Sequence, residues 1–279
     1  MKLYSVNTGN FKLDGGAMFG VVPKSLWQKL NPPDENNLCS WTMRCLLIED
    51  GGRLILVDNG IGDKQDDKFF SFYYLHGDDS LDKSLAKHGF HRNDITDVFL
   101  THLHFDHCGG SIMRDGDKLV PAFRNATYWS NESHWKWATA PNDREKASFL
   151  KENILPIQES GQLKMIEEKD GVQFADNIKV RFVYGHTEAM MLPQVSYKGR
   201  EIVYCADLFP SAAHILMPYV MAYDVRPLET MNEKKKFFAE AVKGNYILFF
   251  EHDKQVECCD LQMTERGVKH QNVFTLNEI

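Results

Sequence analysis

The chain of 279 residues lacks any apolar run that could cross a membrane. A membrane-spanning helix needs roughly 18 or more consecutive apolar residues, and no stretch of the sequence approaches that length. The N-terminal residues also lack the apolar core of a secretory signal peptide. We therefore expect a cytoplasmic protein that does not associate with membranes.

A basic stripe and a disulfide pattern are missing as well. The formal net charge is −7, and the lysines and arginines are dispersed along the chain. Nucleic acid is therefore not an expected partner, because a protein that follows a phosphate backbone needs clustered positive charge. The six cysteines do not have the spacing of a disulfide framework, and we expect them to be reduced. Cys108 and Cys205 could in principle ligate a metal ion, but a role as small buried thiols is favoured.

No repeat, low-complexity tract or linker divides the chain, so we predict a single domain over residues 1–279. Hydrophobic residues make up 43% and charged residues 25%, which is an ordinary globular composition. Residues 41–49 and 53–57 are strand-like runs joined by a glycine turn, a pattern that predicts a β-hairpin. Ser80 is a typical N-cap for a helix over residues 81–88.

Residues 125–153 differ from the rest of the chain in their aromatic content. Four of these aromatic residues are Tyr128, Trp129, Trp135 and Trp137, and they stand in a polar stretch. We predict a helical insertion here. Aromatic residues at this spacing are typical of a local core, and a lid beside a binding site is the alternative. The exposed-looking rings are also compatible with a homodimer.

The densest group of candidate metal ligands follows a short buried strand predicted at residues 97–101. The group consists of His102, His104, Asp106 and His107. Imidazole nitrogens and carboxylate oxygens at this density suit zinc and other divalent metals. Ligand sites of open sheets lie at the carboxyl ends of strands, which is where this group is predicted to be.

Three later strand-like runs share one pattern, because each ends in a potential metal ligand. The runs are residues 179–184, 202–206 and 246–250. The ligands that follow them are His186, Asp207 and His252. Singly, such residues are usually structural. With the first group they make five histidines and two aspartates, enough donors for two metal ions that share one carboxylate.

The His-x-His-x-Asp-His pattern resembles the signature of the metallo-β-lactamase superfamily. The resemblance extends over most of the chain and includes Asp58 and the Gly-His-Thr motif that contains His186. The ligands that it implies are His102, His104 and His186 for one ion, Asp106, His107 and His252 for the other, and Asp207 between them. It also implies that Asp58 accepts the ring N–H of a ligating histidine and so fixes its orientation.

This resemblance implies a four-layer αββα sandwich, in which two mixed β-sheets are flanked by helices. It also implies a dinuclear metal-dependent hydrolase. Two divalent ions lower the pKa of a bridging water, so that hydroxide is available near neutral pH, and Asp106 would pass on the proton. Zinc is the favoured metal, and iron, manganese or cobalt also suit the donor set.

A second resemblance concerns residues 14–23, an apolar, glycine-rich stretch predicted to be a loop. It is similar to a loop of the lactonase and methyl parathion hydrolase branch of the superfamily. Met18 and Phe19 would offer an apolar surface to an acyl or aryl group of the substrate. A buried β-turn is the alternative.

Two departures limit the comparison with acyl-homoserine lactonases. Pro210 stands where the best-known members have a tyrosine that binds the substrate carbonyl, and Glu188 follows the Gly-His-Thr motif where they continue with a further Gly-His. His214 and Tyr223 are candidates for the missing hydrogen-bond donor.

We therefore predict hydrolysis of a small molecule, a lactone or ester with an apolar substituent. A phosphotriesterase or aryl-ester hydrolase is the first alternative. Hydrolysis of a glutathione-type thioester, as in glyoxalase II, ranks third because the sequence shows no cationic cluster near the ligands. The non-enzyme alternative is a metal-stabilised binding protein, which the presence of all seven ligands disfavours.

Overall fold

The computed structural model describes all 279 residues and contains fifteen strands and eight helices. The strands are β1 Lys2–Asp14, β2 Leu38–Asp50, β3 Arg53–Val57, β4 Asp97–Phe99, β5 Ile112–Asp115, β6 Lys118–Pro121, β7 Thr127–Asn131, β8 Leu163–Ile166, β9 Val172–Ala175, β10 Ile178–Val183, β11 Met190–Tyr197, β12 Arg200–Tyr204, β13 Ile247–Phe249, β14 Cys258–Thr264 and β15 Gly267–Phe274. The helices are α1 Gly15–Phe19, α2 Lys24–Trp27, α3 Asp67–Ser71, α4 Leu81–Lys87, α5 Phe105–Cys108, α6 Glu132–Thr139, α7 Lys151–Glu159 and α8 Pro227–Gly244. None of these helices has the length and apolar character that a membrane crossing requires.

The chain divides into two compact units, each built from two separate segments. The first unit consists of Met1–Asn10 and Met43–Glu168, and the second consists of Phe11–Thr42 and Lys169–Ile279. The expected single domain over residues 1–279 stays a prediction.

Two mixed sheets contain most of the strands. The six-stranded sheet has the order β1-β2-β3-β4-β7-β8, with antiparallel pairing of β2 and β3 and parallel pairing from β3 through β8. The seven-stranded sheet has the order β15-β14-β13-β12-β11-β10-β9, and only β12 and β13 are parallel in it. Strands β5 and β6 form a separate antiparallel pair. The prediction of two mixed sheets with helices is confirmed.

The local elements predicted near the N-terminus are present. Asp50 pairs with Arg53 across a two-residue turn, and Gly51 and Gly52 both have positive φ, of 57° and 81°. Glycine adopts this conformation without steric cost, which favours a tight hairpin. In helix α4 the Ser80 side chain accepts a hydrogen bond from the backbone of the first turn, as an N-cap does.

The predicted helical insertion at residues 125–153 is only partly helical. It begins with strand β7, which pairs with β4 and β8 in parallel, and continues into helix α6. The strand was missed because its aromatic residues were assigned to a helix, although Thr, Tyr and Trp favour a pleated, half-buried strand. Asn131 ends the strand and caps α6 through its side chain.

The hydrophobic core of the first unit includes residues of the histidine-rich segment 102–108. Leu103 and Cys108 are fully buried in a cluster that includes Leu56, Val98 and Tyr128. Two glycines follow directly, and a Cβ atom on either would overlap a backbone carbonyl of the loop at residues 59–61. That loop and the histidine-rich segment are therefore held in close backbone contact.

Candidate metal centre

In the first unit, the four predicted ligands follow strand β4. The backbone is extended at His104 and then enters helix α5, which carries Asp106 and His107. All four side chains are buried: His102, His104, Asp106 and His107 are at most 8% exposed. Burial of this many polar groups is costly unless each finds a partner or a metal ion.

The rings of His102 and His104 face each other through nitrogen atoms. His102 Nε2 lies 3.1 Å from His104 Nδ1. The other nitrogen of His102, Nδ1, lies 3.1 Å from the Thr101 hydroxyl, which itself donates to the Asp58 carboxylate. Because that hydroxyl must then accept from Nδ1–H, Nε2 of His102 presents a lone pair. A spacing of about 3.3 Å is what two nitrogen ligands about 2.0 Å from one tetrahedral ion would have.

Asp58 binds three groups of the ligand-bearing segment. Its carboxylate accepts from Thr101 N at 2.8 Å, from Thr101 Oγ1 at 2.7 Å and from His107 Nδ1 at 3.1 Å. The residue is fully buried and has a left-handed backbone with φ of 55° directly after strand β3. With Nδ1 donating to Asp58, Nε2 of His107 is left to act as a ligand. It lies 3.8 Å from Asp106 Oδ2.

His134 is a positioning residue that the sequence did not reveal. It lies on helix α6 and is fully buried, and its Nε2 accepts the backbone N–H of Leu103 at 2.9 Å. Leu103 separates His102 from His104, so this bond fixes the backbone between the two facing rings. No local pattern links the two positions, which are 31 residues apart.

In the second unit, the three predicted ligands again follow strands. His186 comes after β10, Asp207 after β12 and His252 after β13. Strands β12 and β13 are parallel, so their carboxyl ends lie at the same edge of the sheet. All three side chains are buried, with exposures of 2%, 7% and 2%.

Asp207 lies between the two histidines. Its Oδ2 is 3.1 Å from His186 Nε2, and its Oδ1 is 3.3 Å from His252 Nε2. The opposite nitrogens face acceptors: His186 Nδ1 lies 2.9 Å from Asp224 Oδ1, and His252 Nδ1 lies 2.7 Å from the carbonyl of Thr42. Each Nδ1 therefore donates, and each Nε2 atom faces a carboxylate oxygen.

An unprotonated Nε2 this close to a carboxylate oxygen is repelled by it unless a cation lies between the two atoms. A proton can serve: burial opposes the charged ring, but Asp207 and Asp224 together raise the pKa of His186 to about 10. A divalent metal ion satisfies the same pairs and carries more charge, and the donor set is of the kind that such ions take. The residues of the second unit therefore fit a metal ion, as those of the first unit do.

Asp224 was not assigned a role from the sequence. Besides its contact with His186, it accepts from the Thr230 hydroxyl at 2.8 Å, and it is 2% exposed. It is the carboxylate that orients His186, as Asp58 is for His107. Asp224 precedes helix α8, and an acidic residue just before a helix is too common a signal to identify it.

Met18 and Phe19, which were predicted to contact the substrate, lie in a helix and not in the expected loop. The glycine-rich stretch forms helix α1, capped by Asp14, and both side chains are buried. Phe19 stacks on Trp27 at 5.2 Å and on His214 at 4.8 Å between ring centroids. The expected loop is therefore wrong, because an aspartate cap and aromatic packing favour a helical turn. Substrate contact by these two residues stays a prediction.

The two candidate donors differ in exposure. His214 is 1% exposed and hydrogen-bonds to Ser211 Oγ at 2.7 Å and to the carbonyl of Met18 at 2.8 Å. Both ring nitrogens thus have protein partners, which gives this histidine a packing role. Tyr223 is 39% exposed. At Pro210 the carbonyl accepts the backbone N–H of His252.

An aromatic cluster beside Asp106 was also missed. Phe105 contacts Tyr73 and Phe69, with ring centroids 4.6 and 5.4 Å apart. Burial, and then the charge of Asp106, raise the pKa of Tyr73 to about 12. The phenol is therefore neutral near pH 7 and can donate a hydrogen bond.

The cysteines are all buried and free of disulfides. Burial raises the pKa of Cys108 to about 12 and that of Cys205 well above its usual value. A metal ligand must be a thiolate, so the expected role of these residues as buried thiols is favoured by their surroundings.

Buried histidine and aspartate ligands at strand ends, oriented by further carboxylates, define a dinuclear metal-dependent hydrolase. The chain belongs to the metallo-β-lactamase superfamily, whose family model matches residues 44–252 and so includes all seven predicted ligands.

Several solved structures have a similar fold. A probable metal-dependent hydrolase from Staphylococcus aureus is 28% identical, with a TM-score of 0.88 over 98% of this chain and 96% of that one. AidC, a dizinc quorum-quenching lactonase, is 20% identical, with a TM-score of 0.78 over 98% and 95%. The hydrolase AbOPH is 21% identical, with a TM-score of 0.78 over 98% and 94%. These likenesses confirm the fold class. No curated protein sequence matches the chain significantly.

The two orienting carboxylates generate a prediction about metal affinity. Asp58→Asn and Asp224→Asn should each weaken metal binding by roughly 10- to 100-fold, because the amide no longer enforces a donating Nδ1 on its histidine. Competition with a coloured chelator measures the affinity. Asp117→Asn is the matched control, since Asp117 lies exposed in the turn between β5 and β6. Affinities equal to that of the control would contradict the orienting role.

His214 generates a prediction about acid stability. Burial lowers its pKa in the folded chain to about 3, whereas an unfolded histidine titrates near 6.5. Between these values the unfolded chain binds a proton that the folded chain excludes. The free energy of unfolding should therefore fall as the pH drops from 6.5 towards 3, by on the order of 4 kcal/mol from this residue.

The measurement is chemical denaturation at several pH values, in the wild type and in His214→Gln. The glutamine can still donate to Met18 but does not titrate, so its stability should depend less steeply on pH. His270→Gln, at an exposed histidine, should keep the wild-type slope. The same slope in all three proteins would show that His214 is not excluded from protonation.

Proposed function

We propose that the protein binds two divalent ions, with zinc favoured, and hydrolyses a lactone or ester that carries an apolar substituent. The observation that carries the proposal is the position of Asp207, whose two carboxylate oxygens each face the Nε2 atom of a histidine. One carboxylate with two such partners is suited to bridge two ions. The dizinc content of the lactonase AidC supports zinc as the metal.

The chemistry divides between the ions and the protein. Two divalent ions, when bound, supply an acidified water and polarise the oxygen that is attacked. Asp58 and Asp224 hold their histidines in the ligating tautomer. Asp106 is 8% exposed at the start of α5, and its carboxylate is suited to take a proton and deliver it to the leaving oxygen.

The apolar part of the substrate has a candidate binding surface in the aromatic cluster of Phe69, Tyr73 and Phe105. The cluster adjoins Asp106 in the chain, and Tyr73 keeps its hydroxyl proton. A neutral phenol can donate to a carbonyl oxygen, which is the role of the tyrosine that Pro210 replaces. Aromatic rings also stack on an aryl group, and this favours an aryl ester or phosphotriester as the second candidate.

A cavity in the second unit bears on the thioester alternative. Its volume is about 690 Å³, within the range of small-molecule sites, and it is lined by Ser211 and Asp253, which follow the ligands Asp207 and His252. Lys29, Lys254 and Lys269 also line it. The sequence showed no cationic cluster because these lysines come from three distant segments. A substrate with carboxylate groups therefore belongs in any test.

The experiment is a comparison of kcat/KM across lactones, aryl esters, phosphotriesters and an acidic thioester, with two zinc ions per chain verified by metal analysis. We expect lactones to be turned over fastest. The value of kcat/KM should rise with the length of the acyl chain. Each buried CH₂ contributes about 0.8 kcal/mol, which corresponds to roughly a fourfold increase in kcat/KM. Turnover of phosphotriesters or thioesters with no turnover of any lactone would overturn the lactone assignment.

Asp106→Asn tests the proton carrier. The amide cannot accept the proton and binds a metal ion more weakly, so kcat should fall by at least about 10²-fold. Circular dichroism and metal analysis separate lost chemistry from lost folding or lost metal. Asp117→Asn should retain wild-type activity. An Asp106→Asn enzyme with full kcat would remove Asp106 from the mechanism.

A further inference from the structure

We propose that Glu145 is a positioning residue for the predicted ligand His104. Through Glu145, the segment between α6 and α7 would help to orient the metal-binding ring. This inference rests on the proposed function, because it assigns Glu145 a role only if His104 binds a metal ion. The segment was predicted from the sequence to be local core or a lid.

The position of the Glu145 carboxylate carries the argument. Its side chain is 4% exposed, and Oε1 lies 3.6 Å from His104 Nε2. The opposite nitrogen of that ring, Nδ1, faces His102. A neutral histidine that offers a lone pair at Nδ1 carries its proton on Nε2, the ring nitrogen from which Glu145 Oε1 is 3.6 Å away, just beyond hydrogen-bond distance. A carboxylate at that place favours the tautomer in which Nδ1 is the metal ligand.

The second carboxylate oxygen is held by its own segment. Glu145 Oε2 accepts from Trp137 Nε1 at 2.7 Å and from Asn142 Nδ2 at 2.6 Å. The Asn142 side chain in turn accepts the backbone N–H of Glu145. These bonds fix the carboxylate so that Oε1 is directed towards His104.

Two further contacts tie the segment to the ligand. The ring of Phe149 packs on His104, with centroids 4.7 Å apart. The carbonyl of Ser148 accepts the backbone N–H of Phe105, next to His104, and Ser148 N donates to the carbonyl of Glu145. The segment therefore holds His104 through a carboxylate, a ring face and the backbone. We expect the order of this segment and the orientation of His104 to change together.

The main test is Glu145→Gln, which keeps the size of the side chain and removes its charge. It should retain zinc roughly 10- to 100-fold less tightly in competition with a coloured chelator. Asp143→Asn is a closely matched control: it removes one carboxylate from the same segment, but that side chain is 98% exposed. Its zinc affinity should lie within about twofold of the wild type, since surface ion pairs contribute little.

A second measurement separates positioning from simple stabilisation of the segment. Nitrogen-15 NMR of the histidine rings reports which nitrogen carries the proton. In the zinc-loaded wild type, His104 should be protonated at Nε2 only, whereas Glu145→Gln should show a mixture of tautomers or a displaced signal. Trp137→Phe removes one bond to Oε2 and keeps the carboxylate, so its zinc affinity should be intermediate.

The proposal is wrong if folded Glu145→Gln retains zinc as tightly as Asp143→Asn and leaves the His104 tautomer unchanged. Should Glu145→Gln fail to fold, Glu145→Asp answers the same question, because it keeps the charge and withdraws the carboxylate by one methylene. Weaker zinc retention in that variant supports the proposal, and unchanged retention overturns it. A failure of the proposed function is distinct, because the wild type itself would then bind fewer than two zinc ions or hydrolyse no lactone.

Discussion

The arrangement of the site depends on one electrostatic constraint: buried acceptors that face each other need a cation between them. Asp207 faces the Nε2 atoms of His186 and His252, and the Nδ1 atoms of the two rings are hydrogen-bonded elsewhere, to Asp224 and to the Thr42 carbonyl. In water such groups would be solvated separately, but in the protein interior their repulsion is strong. Burial of these groups therefore lowers the stability of the fold unless a proton or a metal ion lies between them. The orienting carboxylates therefore matter as much as the predicted ligands, because they decide which ring nitrogen can face a metal ion.

Strand ends provide the rigidity that this arrangement needs. The predicted ligands in both units lie shortly after strands, and the parallel pairing of β12 and β13 brings Asp207 and His252 to one edge. In the first unit, Asp58 follows β3 and accepts from the segment that follows its parallel neighbour β4. Adjacent parallel strands thus place the histidine-rich segment and its orienting carboxylate side by side. This explains how Asp58 and Thr101, over 40 positions apart in sequence, form a hydrogen bond.

Local patterns predicted the hairpin at Gly51, the helix capped by Ser80 and the strands that precede the seven predicted ligands, because each depends on residues close together in the chain. Other features depend on distant partners. Met18 and Phe19 were expected at a substrate-facing loop, but their packing involves His214, 196 residues beyond Met18. Asp224 lies 38 residues from His186 and His134 lies 31 residues from Leu103, with no motif joining them. Glu145 could not be recognised either, because a lone glutamate in a polar stretch is usually solvated.

The division of the chain into interleaved segments has a consequence for synthesis. A ribosome that has made residue 168 has supplied the whole of the first unit, whereas residues 11–42 belong to the second unit and still await residues 169–279. During that interval Phe19 lacks His214, the ring on which it will stack. Residues 11–42 can therefore complete their packing only after the later segment has been made, and loss of that segment would remove the ring on which Phe19 stacks.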